Sequence, residues 1–276
     1  MPEEDVALRV RDLEVAYGDT VVLKGVDMTV RTGEVRVILG GSGCGKSTLL
    51  RGILGLADVR SGTVELLGQD VSRLSAAGRR TLLQRIGVMF QNGALFGSLT
   101  VGENVAVPLR EHRRLPEAVI QHMVRMKLEL VSLGHAEHLY PAELSGGMRK
   151  RAALARAMIL DPEILFCDEP SAGLDPLTSA GLDALILKLK KLFNMTVVVV
   201  THELASIQTI ADSVTMLGGG EVIAEGAIRE VQARGIPEVD TFFARQPAAD
   251  AQRSPSIASL FGLNRPPRSL ESRESS

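Results

Sequence analysis

Residues 40–48, Gly40-Gly41-Ser42-Gly43-Cys44-Gly45-Lys46-Ser47-Thr48, constrain this chain more than any other stretch. The apolar run Val35 to Leu39 leads in, and Leu49, Leu50, Ile53 and Leu54 follow at helical spacing. Strand, glycine-rich loop, helix is the order a phosphate-binding P-loop requires. The glycines let successive N–H groups point into one concavity where an anion sits. A helix starting near Lys46 adds its positive dipole end. Lys46 supplies a full charge for β- and γ-phosphates, and the Ser47 hydroxyl is placed to ligate Mg²⁺. A glycine-rich turn with an incidental lysine accounts for the loop, but not for the strand and helix around it.

A chain of 276 residues can bury one large core or two modest ones. Lys and Arg total 31 against 33 Asp and Glu, a net charge of -2 that gives no sign of a nucleic-acid binder. No apolar run approaches a bilayer span, and the longest candidate, Val197 to Val200, reads as a buried strand. The start, Met1-Pro2-Glu3-Glu4-Asp5, is acidic and unlike a signal peptide. Cys44 and Cys167 sit in separate motifs, so no disulfide framework is expected. The expectation is a cytoplasmic protein that serves a membrane, if at all, through a partner.

Between residues 6 and 39, short apolar runs alternate with turns: Ala7 to Val10, Leu13 to Ala16, Val21 to Leu23 and Val26 to Val30. Gly18-Asp19 and Thr32-Gly33 are turn signals between them, and an antiparallel patch is expected there. Gly62 to Gly68 reads as one more strand and Ile86 to Phe90 as a buried one. From about residue 98 to 160 strands vanish, and Met123, Met126, Leu130 and Leu133 recur three or four apart, which predicts a helical insert. Parallel-sheet texture then resumes, with strands at Ile164 to Cys167 and Thr196 to Val200 and helices at Thr178 to Leu192 and Glu203 to Ile210. Val214 to Leu217 and Val222 to Ala224 read as a hairpin, followed by short helices. The domain is expected to end near residue 245. The composition beyond Gln246 is that of a flexible tail, interrupted by Ile257, Leu260, Phe261 and Leu263, the kind of cluster a docking segment carries.

A further set of short stretches, taken in order, resembles the ATP-binding subunit of ABC transporters. Leu144-Ser145-Gly146-Gly147-Met148 resembles the ABC signature and opens a helix from Arg149 to Ile159. Physically it is a second anion site, with the Ser145 hydroxyl, the N–H groups of Gly146 and Gly147 and a helix N-terminus as donors. An ordinary N-cap explains Ser145 alone. Ile164 to Glu169 resembles the Walker B strand and ends in two carboxylates. The resemblance implies that Asp168 holds Mg²⁺ and that Glu169 acts as general base. Ser171-Ala172-Gly173-Leu174-Asp175 matches the D-loop, with Asp175 in the nucleotide site. His202 matches the switch histidine at the γ-phosphate, and Gln91 the Q-loop glutamine that contacts Mg²⁺ and water and senses the membrane partner. Tyr17 stands where the family stacks an aromatic on adenine, the role the resemblance implies for it, with a plain strand tyrosine as the alternative. His112, His122, His135 and His138 have no zinc-ligand spacing.

The implied fold is an α/β P-loop NTPase of ABC type, with a mixed central sheet, an antiparallel β patch and a helical insert subdomain. Met148 replaces the usual glutamine and lacks its amide donor, so that nucleotide contact is expected to be weakened. With the basic Arg149-Lys150-Arg151 that follows, and with Gln91 to Phe96 and Pro108 to His112, the signature resembles the Mla branch of bacterial phospholipid transport ATPases. That resemblance implies ATP and Mg²⁺ as cofactors and a homodimer of ATPase subunits with composite sites. It also implies a transmembrane permease, an MCE-domain lipid-binding protein and often a small STAS-domain protein, at the cytoplasmic face of the inner membrane, with no nucleic acid. Charges at Arg110 to Arg114 suit such contacts and equally a solvated helix face. An importer of another solute is the alternative. A soluble ABC protein acting on ribosomes or DNA is expected to carry a second ATPase unit or long coiled coils, neither of which reads in this sequence, and a P-loop kinase leaves the signature unexplained.

Overall fold

A computed structural model of the chain describes residues 5–244. The acidic first four residues and the expected tail with its cluster at residues 257–263 lie outside them. Strand β1 (Val6–Tyr17) pairs antiparallel with β2 (Thr20–Arg31) about the Gly18-Asp19 turn. The four apolar runs read in sequence lie, two and two, on these long strands. The breaks in apolar alternation are absorbed by register shifts, one of them between Val10 and Leu13, where Asp12 adopts φ 48.

Strand β3 (Val35–Gly40) runs into the P-loop and α1 (Lys46–Ile53). β4 (Val59–Leu66) and the short β5 (Gln69–Asp70) form a hairpin, so the strand expected over residues 62–68 starts earlier and turns back at Leu67-Gly68. Helix α2 (Ala76–Leu83), not anticipated from sequence, buries only Leu82 and is capped by Ser75. β6 (Ile86–Met89) ends before Phe90, so Gln91 lies in the turn beyond the strand rather than at its end. Then come α3 (Val101–His112), α4 (Glu117–Leu130) and α5 (Gly146–Ala157), with no strand among them. Thr100 and Glu103 form a capping box that starts α3. The chain returns through β7 (Ile164–Asp168), α6 (Pro176–Phe193), β8 (Thr196–Val200) and α7 (Leu204–Ile210). β9 (Ser213–Gly218), β10 (Glu221–Gly226), α8 (Ile228–Gln232) and α9 (Pro237–Ala244) complete it.

The strands form two sheets. One is antiparallel, in the order β2-β1-β4-β5. The other is mixed, β10-β9-β3-β8-β7-β6, parallel from β9 to β6 with β10 antiparallel at its edge. Its central strands are buried on both faces, which is why β8 reads as an unbroken valine run. Alternation then divides the core. Val37, Leu165, Val197 and Val199 face the helical side with α5 and α6, whereas Ile38, Phe166, Val198 and Val200 face α1 and the antiparallel sheet. Because β3, β8 and β7 are adjacent and parallel, the segments leaving their carboxyl ends meet along one edge of the sheet.

Candidate active site

The P-loop at the end of β3 is shaped by main-chain conformations that side chains oppose. Gly40 has φ 147, and a Cβ there would lie 2.3 Å from Leu217 O and 2.7 Å from Cys44 Sγ. Gly45, at φ 104, precedes the first residue of α1. Lys46 Nζ donates to Gly40 O and Gly41 O, each at 2.9 Å, so the cation lies inside the loop's own curl. Leu49, Leu50 and Ile53 anchor α1 in the core.

At the end of β7, Asp168 Oδ1 lies 3.5 Å from Ser47 Oγ. Burial, then the charge of neighbouring Glu169, pushes the Asp168 carboxyl above its ordinary value, while the Ser47 hydroxyl pulls it back. A bound divalent cation would relieve that repulsion, and a hydroxyl beside a carboxylate is a hard-oxygen donor set suited to Mg²⁺.

Glu169 is the most constrained residue of the edge. Its φ of 46 is left-handed, a strain that a non-glycine residue carries only where its surroundings impose it. Its N–H donates to Val200 O at 2.8 Å. Oε1 lies 2.7 Å from His202 Nδ1, and Oε2 is buried without a protein partner. An acceptor oriented by a histidine, with its second oxygen unengaged, is equipped to take a proton from water.

A cleft of about 580 Å³ is lined by Gly40, Gly41, Ser42, Gly43, Gly45, Lys46, Ser47, Thr48, Gln91, Glu169 and His202. Cys44 sits half-buried in the same loop. Most of the residues singled out in sequence, drawn from four segments, thus meet in one place. Val22 and Phe242 also line the cleft, although nothing in sequence linked them to the P-loop.

Seven of the expected residues do not line it: Cys44 and Asp168, which adjoin lining residues in sequence, and Tyr17, Asp175, Ser145, Gly146 and Gly147. Tyr17, at the end of β1, is 46 % exposed. Asp175 caps α6, accepting from Leu177 N at 3.1 Å and Thr178 N at 3.0 Å, a local role that needs no nucleotide. Ser145 is an exposed N-cap of α5 whose Oγ accepts from Met148 N at 3.2 Å. Gly147 has a packing reason of its own, since a Cβ there would lie 2.5 Å from Thr178 Cγ2 on α6, and Gly146 is adjacent to Leu174. Met148 packs on the helical core. Among the described residues no cluster of three metal-ligating side chains of the His, Cys, Asp and Glu type occurs.

A family model for ABC transporters matches residues 23–172. The chain is 42% identical over 212 residues to the probable ribonucleotide transport ATP-binding protein mkl of Mycobacterium leprae. That match covers 77% of this chain and 61% of the relative, so the chain spans about three-fifths of its length. It is 41% identical over 224 residues to the intermembrane phospholipid transport system ATP-binding protein MlaF of Haemophilus influenzae, covering 81% of this chain and 85% of that protein. Among solved structures, the dimeric post-hydrolysis state of the cassette MJ0796 bound to ADP and Pi superposes with a TM-score of 0.73 at 29% identity, over 80% of this chain and 98% of that one. The mixed sheet, the P-loop cleft and these likenesses agree: the chain belongs to the ABC transporter family.

Proposed function

We propose that this chain is the ATPase subunit of a bacterial inner-membrane transporter that moves phospholipids between membranes. The observation that carries the substrate is the 41% identity to a protein named for intermembrane phospholipid transport, matched over 85% of its length. The ribonucleotide reading rests on a relative matched over only 61% of its length. The chain itself has no helix, among the described residues, long and apolar enough to cross a membrane, so a permease carries the passage. An MCE-domain lipid-binding protein and a small STAS-domain protein are the further partners this reading expects.

Catalysis needs two copies. In one copy the P-loop, Gln91, Glu169 and His202 line a single cleft, and Ser145, Gly146 and Gly147 do not. A second copy, paired head to tail, brings its exposed α5 tip to the triphosphate held by the first, as expected of a composite site. Tyr17 stacks on adenine, and Asp175 lies at the join. Lys46 exchanges the carbonyls of Gly40 and Gly41 for β- and γ-phosphate oxygens. Ser47 and Asp168 would hold Mg²⁺, with Gln91 beside it, and the ion when bound supplies neutralisation of phosphate charge. Glu169, braced by His202, accepts a proton as water attacks the γ-phosphorus and ADP leaves. Loss of the γ-phosphate removes the link between copies, and their separation moves the permease.

The test is transfer of labelled phospholipid between vesicles by the assembly purified through a tag on this chain. Transfer that needs ATP and stops with Glu169→Gln is expected. ATP-driven ribonucleotide uptake with no lipid transfer would overturn the substrate assignment.

A further inference from the structure

Lys150 belongs to the basic run Arg149-Lys150-Arg151 that follows the signature. In the fold it is only 8% exposed. Its ammonium donates to two main-chain carbonyls, Gln91 O at 2.5 Å and Glu169 O at 3.0 Å. Burial lowers its pKa, against the attraction of Glu169, Glu203 and Asp168. A buried ammonium is costly, and an apolar side chain of similar length would pack there with less penalty. The two carbonyls therefore account for the lysine.

Both carbonyls belong to residues of the catalytic edge. The Glu169 main chain is fixed on one side by its N–H to Val200 O and on the other by Lys150. The segment after Gln91 is held by the same helix, since Arg156 donates to Gly93 O at 2.8 Å and Ala94 O at 2.7 Å. Lys150 and Arg156 both belong to α5. Of the two, Lys150 also reaches the residue that follows β7. The N-terminal end of that helix is the Ser145 tip.

We propose that Lys150 is a positioning residue that locks the left-handed main chain of Glu169 to the Gln91 carbonyl, so that displacement of the insert is felt at the base within the same copy. The proposal rests on the reading of Glu169 as general base. Removing the clamp leaves the P-loop and its contacts intact but loosens the carboxylate against the attacking water. Misplacement of about 1 Å at a reacting group costs on the order of 10²-fold in rate.

The experiment measures kcat and KM for ATP in the full chain within its assembled transporter, for Lys150→Met, Lys150→Arg and Glu169→Gln. For Lys150→Met, kcat falls by about 10- to 100-fold with KM within roughly threefold of wild type. Lys150→Arg, which keeps donors for both carbonyls, recovers most of the loss. Should Lys150→Met not fold, Lys150→Gln, too short to span both carbonyls, carries the same expectation. Wild-type kcat in Lys150→Met or Lys150→Gln, or a loss expressed wholly in KM, overturns the proposal. If Glu169→Gln is inactive while Lys150→Met is normal, only the positioning role fails. If Glu169→Gln keeps wild-type turnover, the general-base reading fails, and this inference with it.

Discussion

Glu169 shows how little slack the site allows at the scale of one residue. Its left-handed main chain, its His202 contact and its unpartnered Oε2 suit the general-base role proposed for it. Glu169→Gln keeps the shape and removes the proton acceptor. ATP binding is expected to persist while hydrolysis falls by about 10²–10⁴-fold, as read by nucleotide binding and phosphate release. Asp183 on α6 makes a separate demand. Ser206 donates to its Oδ2 at 2.6 Å, but Oδ1 is buried without a partner. Burial is the main cause that raises its pKa above 3.8, aided by the charge of Glu203 and opposed by Ser206. Between 3.8 and the raised native value, the folded chain holds a proton that the unfolded chain has released. This group therefore lowers stability as pH rises through that window, and the cost persists above it. Asp183→Asn is expected to raise stability at pH 7 by about 1 kcal/mol, with the gain shrinking as the pH falls toward 4. Thermal melts across that range check it, and a variant less stable at pH 7 would contradict it. The two thiols differ as well. Cys167 is buried and pushed up to about 12, whereas Cys44 is half-buried in the P-loop. Maleimide should label Cys44 alone, and ATP should protect it. Equal rates with and without ATP would place the nucleotide elsewhere.

At the scale of elements, α5 joins the most functions. One end is the exposed Ser145 cap, and its flank grips the turn after β6. Ser145→Arg places a large cation at that tip. Hydrolysis in the assembled complex should be abolished while ATP still binds, since nothing at the P-loop changes. Normal turnover would remove the tip from the site. The P-loop, both carboxylates and His202 were legible because each follows an apolar run that fixes a strand, and the strand order brings their ends together. The two long antiparallel strands read in sequence as four apolar runs because a bulge breaks period-two alternation. Helix α2 was invisible because it buries a single leucine and contains Gly78. Lys150, Asp183 and Phe242 were missed for one reason: their surroundings come from segments distant in sequence, and no local pattern marks a charged residue that faces inward or an aromatic that reaches the cleft.

At the scale of the whole molecule, the P-loop, Gln91, Glu169 and His202 line one cleft, and the α5 tip does not. On the composite-site reading proposed above, a partner copy would supply that tip and the bound triphosphate would join the two. ATP should therefore drive Glu169→Gln chains into dimers, and adding Ser145→Arg should prevent it, as read by sedimentation. The most direct measurement is an experimental structure of the Glu169→Gln transporter trapped with ATP and Mg²⁺. The account predicts that each γ-phosphate meets Lys46 of one copy and Ser145 of the other. A triphosphate enclosed by Lys46 and Ser145 of the same copy would contradict it.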